Sequence, residues 1–443
     1  MSKNLDLKIT GNPFVDAGIY ALNALNSLKF KKSKIEDLTF DNLREGLDII
    51  SDLYFKEGWN KNMYSIFPNS ALTNNSIANK KEKYVEDIQE LYNEIGTVTN
   101  NSNCIGCGRR NALNQYGKKD VPLYGSGTFR NYSSFMTEGA DYCPLCILLI
   151  QFMPLMLYRS GGKFILLHSD SNKIMNFWSR RAIRNYNTQK AEGNYIGCFN
   201  EEYKNPVNGI FHMIEDIVDA YDRRNWGDIS PSLNFYYFTN YNQGPELELY
   251  LFPNNVFRFL TYIPSEEKSN WQGIIYRQYV NIKKDETEEE YKNKKNRVYE
   301  NLLNRKSILG YFFNSRKKET YCSWKLLQYY LEEVENMEKK RVDAIRDLGD
   351  NLSEYIKEDN KKTLNAIETA ESYSNFLNIL RKVMKDKVEN GDDELLVTYD
   401  DLVNNICPDY KVWKETRDLL LFRLYENLKD WIKENNEDDN NGQ

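Results

Sequence analysis

The sequence predicts an α+β protein: a mixed α/β N-terminal and middle region, an inserted four-cysteine knuckle module, and an all-α C-terminal helical bundle. Three observations carry this. Apolar residues recur at helical spacing before residue 97 and again beyond about residue 320. Strand-like runs rich in β-branched and aromatic residues lie between. Residues 97–146 lose all periodicity, are rich in Gly, Asn and Ser, and hold two Cys-x-x-Cys pairs. The chain has 443 residues, 41% hydrophobic and 28% charged, which suits two or three globular domains and not a disordered protein.

Thr10-Gly11-Asn12-Pro13 opens the chain with a breaker, and Asp16 is placed to cap a helix through Ile19, Leu22, Leu25 and Leu28. Residues 35–57 read as one helix, 68–79 as a loop and 80–96 as another helix. Past the cysteines, Ile147 to Tyr158 is an apolar run broken by Gln151 and Pro154. It is shorter than the roughly 20 apolar residues that a membrane span needs. Lys163 to His168, Leu233 to Tyr241 and Glu246 to Phe252 read as strands, the last two forming a hairpin about Gln243-Gly244-Pro245. Residues 281–300 are charge-dense, a solvated helix or a connector. Beyond 320, Leu326 through Ile356 lie on one face. Further helices cover 362–390, 398–405 and 410–435, and the tail from Glu434 is polar. The expected domains are therefore 1–320, containing a 97–150 insertion, and a bundle over 321–443. The opening MSKNLDLKITGNPF lacks the apolar core of a secretory signal. The expected location is cytoplasmic, with no membrane partner.

Net charge is -6, but it is unevenly spread. Residues 321–443 carry net -10 and residues 1–320 net +4, and within the latter residues 101–190 carry net +8. Screening confines each charge to about 8–10 Å, so a basic region can hold a polyanion on an acidic chain. Only two histidines occur, His168 and His212, which makes His-based triads and His-rich metal nuclease sites improbable. There is no GxxxxGK[ST] loop and no HExxH.

The central constellation is Cys104-Ile-Gly-Cys107, 35 residues, then Cys143-Pro-Leu-Cys146. Two residues between cysteines let both thiolates of a pair reach one ion. Two such pairs close a tetrahedral sulfur shell, the structural Zn2+ arrangement, with no open position for catalysis. Zinc binding of about 10–16 kcal/mol offsets the ordering of a weakly apolar segment. Two disulfides or unrelated thiols are the alternatives; a reducing compartment disfavours the first. Cys198, Cys322 and Cys407 are isolated packing residues. Between the pairs, Arg109, Arg110, Lys118, Lys119 and Arg130 alternate with Tyr116, Tyr124, Phe129 and Tyr132, and Gly125-Ser126-Gly127 adds exposed amides. Such a loop suits phosphates and bases. It equally suits a solvated loop whose arginines offset four thiolates. Arg180, Arg181 and Arg184 form a second cluster, in which 180 and 184 share a helical face.

The phrase from Thr10 to Gly18, followed by the paired Cys-x-x-Cys knuckles, resembles the CRISPR-associated large-subunit family of type I-B Cascade, an RNA-guided surveillance complex. The motifs span residues 10–18 and 104–146. The resemblance implies a non-catalytic subunit that joins Cascade backbone and RNA-processing subunits around a crRNA. It implies recognition of the protospacer-adjacent motif (PAM) on target double-stranded DNA, help in opening the duplex, and recruitment of a separate helicase–nuclease. Asn12, in its Gly-Asn-Pro turn, is one candidate to read a groove edge, beside a plain role as turn or cap. The C-terminal bundle would correspond to the small subunit. Its net -10 departs from a DNA-lining bundle, although Arg381, Lys382, Lys385 and Lys387 make one basic patch. Met337, behind a purine-codable stretch from Glu332 to Asn336, is placed to start a separately translated small subunit, beside the plain reading of a core methionine. The competing reading is a zinc-ribbon nucleic-acid-processing enzyme acting alone, with Asp120, Glu138 and Asp141 as its nearby acids.

Overall fold

In the computed structural model the described residues are 3–27, 34–98, 102–125, 139–224, 226–227, 230–283, 285–358, 361–391 and 395–441. The chain divides into two compact units, Met1–Asn254 with Thr287–Asn293, and Asn255–Glu286 with Lys294–Gln443. The expected 321–443 bundle is thus part of a second unit that begins earlier, at Asn255.

The first unit begins with helices α1 (Pro13–Ser27), α2 (Phe40–Leu53), α3 (Glu57–Met63) and α4 (Lys80–Asn93). The single helix expected over 35–57 is broken at both ends of α2. Leu38 is extended, its carbonyl accepts the Leu5 N–H at 2.9 Å, and Thr39 caps α2 in a reciprocal box with Asn42. Thr39 thus satisfies the orphan amides of α2, and pairing to the N-terminal segment outcompetes another helical turn.

Next come β1 (Leu113–Tyr116) and β2 (Ala140–Tyr142), an antiparallel pair with an irregularity between Asn114 and Tyr116, and then α5 (Pro144–Ile150). A four-stranded antiparallel sheet follows: β3 (Tyr158–Ser160), β4 (Lys163–Ser169), β5 (Leu233–Thr239) and β6 (Glu246–Phe252), in that spatial order. The expected hairpin is β5–β6, with Leu233 opposite Phe252 and Thr239 opposite Glu246. Between β4 and β5 run α6 (Asn172–Glu192) and α7 (Pro206–Arg224). Residues alternate across the sheet. Phe164, His168 and Phe238 share the face that meets α1, through Phe14 on Phe238 (5.9 Å between centroids) and Asp16 on His168 (3.1 Å). Ile165 faces the other side, against Gly209 of α7. Asp16 is fully buried. Its carboxylate accepts the Thr10 N–H and hydroxyl (both 2.8 Å), the Gly11 N–H (2.9 Å) and the His168 Nε2 contact. It therefore ties the opening turn to β4.

The second unit holds α8 (Asn254–Tyr262), α9 (Lys268–Arg277), α11 (Arg297–Leu303), a small hairpin of β7 (Phe313–Asn314) and β8 (Glu319–Thr320), then α12 (Trp324–Glu333), α13 (Lys339–Glu358), α14 (Lys362–Glu368), α15 (Tyr373–Glu389), α16 (Trp413–Asn427) and α17 (Lys429–Asn441); the short helix α10 (Glu288–Tyr291) belongs to the first unit. The apolar face read from Leu326 to Ile356 belongs to two helices. The chain turns at Asn336 (φ 55°), a left-handed position that Asn tolerates, and Met337 lies buried in the link. The expected 362–390 helix is likewise two, with Ser372 capping the second through the Asn375 N–H. The helix expected over 398–405 is a π-helix from Asp401 to Ile406. The core is Val342, Ile345, Leu348, Leu352 and Ile356 of α13 against Leu419, Leu420 and Leu424 of α16, braced by Arg423 on Asp350 (2.6 and 3.0 Å) and Glu426 (2.7 Å). Among the described residues no helix is long and apolar enough to cross a membrane.

Candidate metal centre and nucleic-acid interface

The first cysteine pair lies on a loop pinned at its base. Ala112 N–H donates to Ser102 O and Cys104 N–H to Arg110 O, both at 2.9 Å. Inside it the Gly108 N–H returns to Cys104 O at 2.6 Å, and Gly108 has φ 65°, which costs glycine little. Gly106 serves space instead: a Cβ there would sit 2.7 Å from the Tyr142 ring. The second pair stands at the start of α5. Cys143 is the extended N-cap, its sulfur accepts the Cys146 N–H at 3.4 Å, and Pro144 occupies the first turn, where no amide is needed. The two halves are joined by Ile105 N–H to Asp141 O at 2.8 Å and by the β1–β2 ladder.

This architecture brings all four sulfurs within 4.8 Å of one another, with Cys104, Cys143 and Cys146 buried and Cys107 partly so. All seven cysteines are free thiols. A tetrahedral shell with metal–sulfur bonds of about 2.3 Å needs sulfurs about 3.8 Å apart, which the cluster accommodates. Electrostatics point the same way. Hydrogen bonds from Cys104, Cys143 and Cys146 hold the Cys107 thiol far below its ordinary value, and the Arg109 backbone amide adds to this. Hydrogen bonds with the other three thiols, then burial, push Cys146 up. One thiolate is stabilised by its neighbours; four adjacent thiolates need a cation among them. The donor set is all sulfur, closed and largely buried, which fits a soft divalent ion in a structural role.

The cationic candidates separate by what they touch. Arg110 donates to Leu5 O (2.9 Å) and Asp6 O (3.4 Å), tying the knuckle to the N-terminal segment. Lys118 donates to the Asn242 side chain at 2.5 Å. Arg181 bonds Glu201 and Asp216, each at 2.6 Å, and lies over the Phe199 ring. Asn12 is a helix cap: its carbonyl accepts the Phe14 and Val15 N–H groups (3.1 and 3.2 Å), and its amide donates to Tyr142 Oη (3.2 Å). Arg109, Lys119, Arg180 and Arg184 are exposed. Arg130, Phe129, Tyr132, Ser126 and Gly127, and also Glu138, lie outside the described residues. Tyr116 is buried, and Tyr124 packs edge-on against Tyr142 at 5.8 Å, so these two rings belong to the core of the knuckle. Asp120 accepts the Gly117 N–H at 3.1 Å, the role of a turn residue.

A second polar cluster, unseen in the sequence, joins Glu201 to His212 and Asp216 around Arg181. Burial opposes charge on His212, but the hydrogen bond and charge of Glu201 outweigh it and raise the imidazole above its usual value. Arg181 already stands between the two carboxylates, so the cluster is a closed ion network. Only the i, i+4 spacing of His212 and Asp216 was available to suggest it.

No curated protein and no solved structure matches the chain. Residues 97–158 match the family model described as CRISPR-associated protein (Cas_CXXC_CXXC). That span encloses both knuckles and α5 and ends on the first residue of β3. The segment that gathers the four thiols is thus of CRISPR-associated type.

Proposed function

We propose that the chain is the non-catalytic large subunit of a type I-B Cascade. In this reading it binds the backbone and RNA-processing subunits around a crRNA, recognises the PAM on target double-stranded DNA and helps recruit the helicase–nuclease. The observation that carries it is the closed four-thiol cluster in a segment of CRISPR-associated type, with Arg109 exposed on the first knuckle. The four cysteines hold one structural Zn2+, which sets the knuckle rather than the chemistry. Guide pairing then reads sequence while this chain reads a short duplex motif and backbone. Arg109, Lys119, Arg180 and Arg184 are the contacts best placed to do so, and Arg130 belongs with them by sequence. Met337 precedes α13, so a product started there contains α13 to α17 and supplies a small subunit.

The test is reconstitution with the backbone and RNA-processing subunits, a crRNA and a duplex library randomised beside the target. The expected result is about one zinc per chain, and selection of one short motif only when this chain is present. A complex that assembles and selects the same motif without it refutes the reading.

A further inference from the structure

An open groove of about 1510 Å³ runs along the first unit beside β3 and the β3–β4 turn. This exceeds the roughly 300–1,000 Å³ of a small-molecule site and suits a segment of polymer. Its walls are rich in donors that no protein group uses. Arg159 of β3 is half-buried, yet its guanidinium has no carboxylate or carbonyl partner among the described residues. A guanidinium offers five N–H donors and loses solvation on burial, so an unpaired one in a wall is the mark of an absent anion. Asn62, 7% exposed, gives its carboxamide oxygen to the Cys198 N–H at 2.8 Å, and its amide nitrogen has no acceptor among the described residues. The Ser65 hydroxyl and the exposed Lys204 ammonium are likewise unpartnered there.

The acids of the groove are distributed differently. Glu201 is held by Arg181 and His212, and Glu290 closes the cap on Thr287 at 2.9 Å. Glu202, Glu289 and Glu290 are exposed. Half-buried and buried donors beside exposed carboxylates take one or two oxyanions and repel a broad polyanionic surface, which favours a strand over a duplex. We propose that this groove binds the phosphodiester backbone of a single nucleic-acid strand through Arg159, Asn62, Ser65 and Lys204. The inference rests on the nucleic-acid reading above and adds a single-strand site apart from the knuckle.

The experiment is fluorescence anisotropy of the full chain with a labelled 12-nucleotide oligouridylate, a duplex DNA and a poly-glutamate peptide, each over a salt series. Arg159→Gln is expected to weaken oligouridylate binding about tenfold. It should also reduce the log–log salt slope by about 0.7, the loss of one single-strand phosphate contact. Lys204→Gln, exposed and unpaired, gives a smaller loss in the same direction without risk to the fold. Arg109→Gln with Lys119→Gln leaves the oligouridylate decrement intact. Oligouridylate affinity and slope unchanged in both groove variants overturn the site. So does poly-glutamate binding that depends on Arg159 as strongly, because the groove then reads an acidic peptide. A wild-type chain that binds duplex but no single strand overturns the groove and leaves the duplex reading standing.

Discussion

Gly106→Ala tests whether the proposed zinc centre is set by packing as well as by its sulfurs. Gly106 needs no left-handed backbone, so the added methyl acts only through space. Its Cβ would lie 2.7 and 2.9 Å from two ring carbons of Tyr142 and 3.2 Å from Val15 Cγ2. Carbon atoms prefer about 3.5–4.0 Å, so the ring or the loop must move by about 0.8 Å or more. Tyr142 cannot yield easily. It is fully buried, and its hydroxyl is held by Asn12 and Tyr124, each at 3.2 Å. The loop moves instead, and it carries Cys104 and Cys107 on either side of Gly106. Metal–ligand distances tolerate about 0.2 Å. Overpacking of this kind costs about 1–3 kcal/mol. Falling on the metal-bound state, that is a loss of about 5- to 150-fold in zinc affinity. Competition against a chromophoric chelator measures it, and the double variant with Tyr142→Leu, which removes the ring, restores much of it. Zinc affinity of Gly106→Ala within twofold of the wild type, alongside a Cys143→Ser variant that has lost the metal, would refute the packing argument.

The buried carboxylate of Asp16 accepts three N–H or O–H donors besides the His168 contact, so Asp16→Asn leaves at least one donor facing an amide N–H₂. The expected loss is about 3 kcal/mol, or about 6–12 °C in melting temperature for a unit of this size, and a change under 2 °C would contradict it. For the pair of Glu201 and His212, burial opposes both charges, yet His212 is raised above 6.5 by Glu201, and Glu201 is lowered below 4.5 by His212 and then Arg181. The His212 contribution is therefore full below pH 6.5 and lost as pH rises through the raised value; that of Glu201 is full above 4.5 and lost as pH falls through the lowered one. Melting curves of wild type and His212→Gln should accordingly be furthest apart between about pH 4.5 and 6.5 and converge on the alkaline side, and a gap that widens there would sink the assignment.

The thiol cluster was legible because its chemistry is local. Two residues between cysteines fix each pair, and only the distant pairing of Cys104–Cys107 with Cys143–Cys146 had to be inferred. The β5–β6 hairpin was legible for the same reason. Periodicity misled where it continued through a break. Leu326 to Ile356 keep a common face across Asn336, since a short left-handed turn returns the next helix to the same core. Helix α7 went unread and α6 was read only as the helical face of Arg180 and Arg184, although Ser171 caps α6 through the Ile174 N–H and Gly193 ends it at φ 68°. The groove was out of reach altogether. Arg159, Asn62 and Lys204 lie far apart in the chain and carry no shared motif.

The basic balance of residues 101–190 shows why charge alone does not locate an interface. Arg109 and Arg110 are neighbours, but one is exposed while the other bonds backbone carbonyls of the N-terminal segment. Arg180 and Arg181 are neighbours on α6. Successive helical positions point about 100° apart, so Arg180 joins Arg184 on the solvent side while Arg181 turns onto Glu201 and Asp216. Lys118 and Lys163 are held by Asn242 and Glu246. A cation whose charge is already met by a carboxylate displaces few counterions when a polynucleotide arrives, whereas one held by neutral oxygens keeps its charge but is fixed in direction. In the proposed duplex interface the salt slope would therefore count Arg109, Lys119, Arg180 and Arg184 and leave out Arg181, while Arg159 would count in the proposed single-strand groove. In the proposed interface, the charge offered to a nucleic acid is accordingly set by the orientation and partners of single side chains within each basic cluster, and not by the size of the cluster.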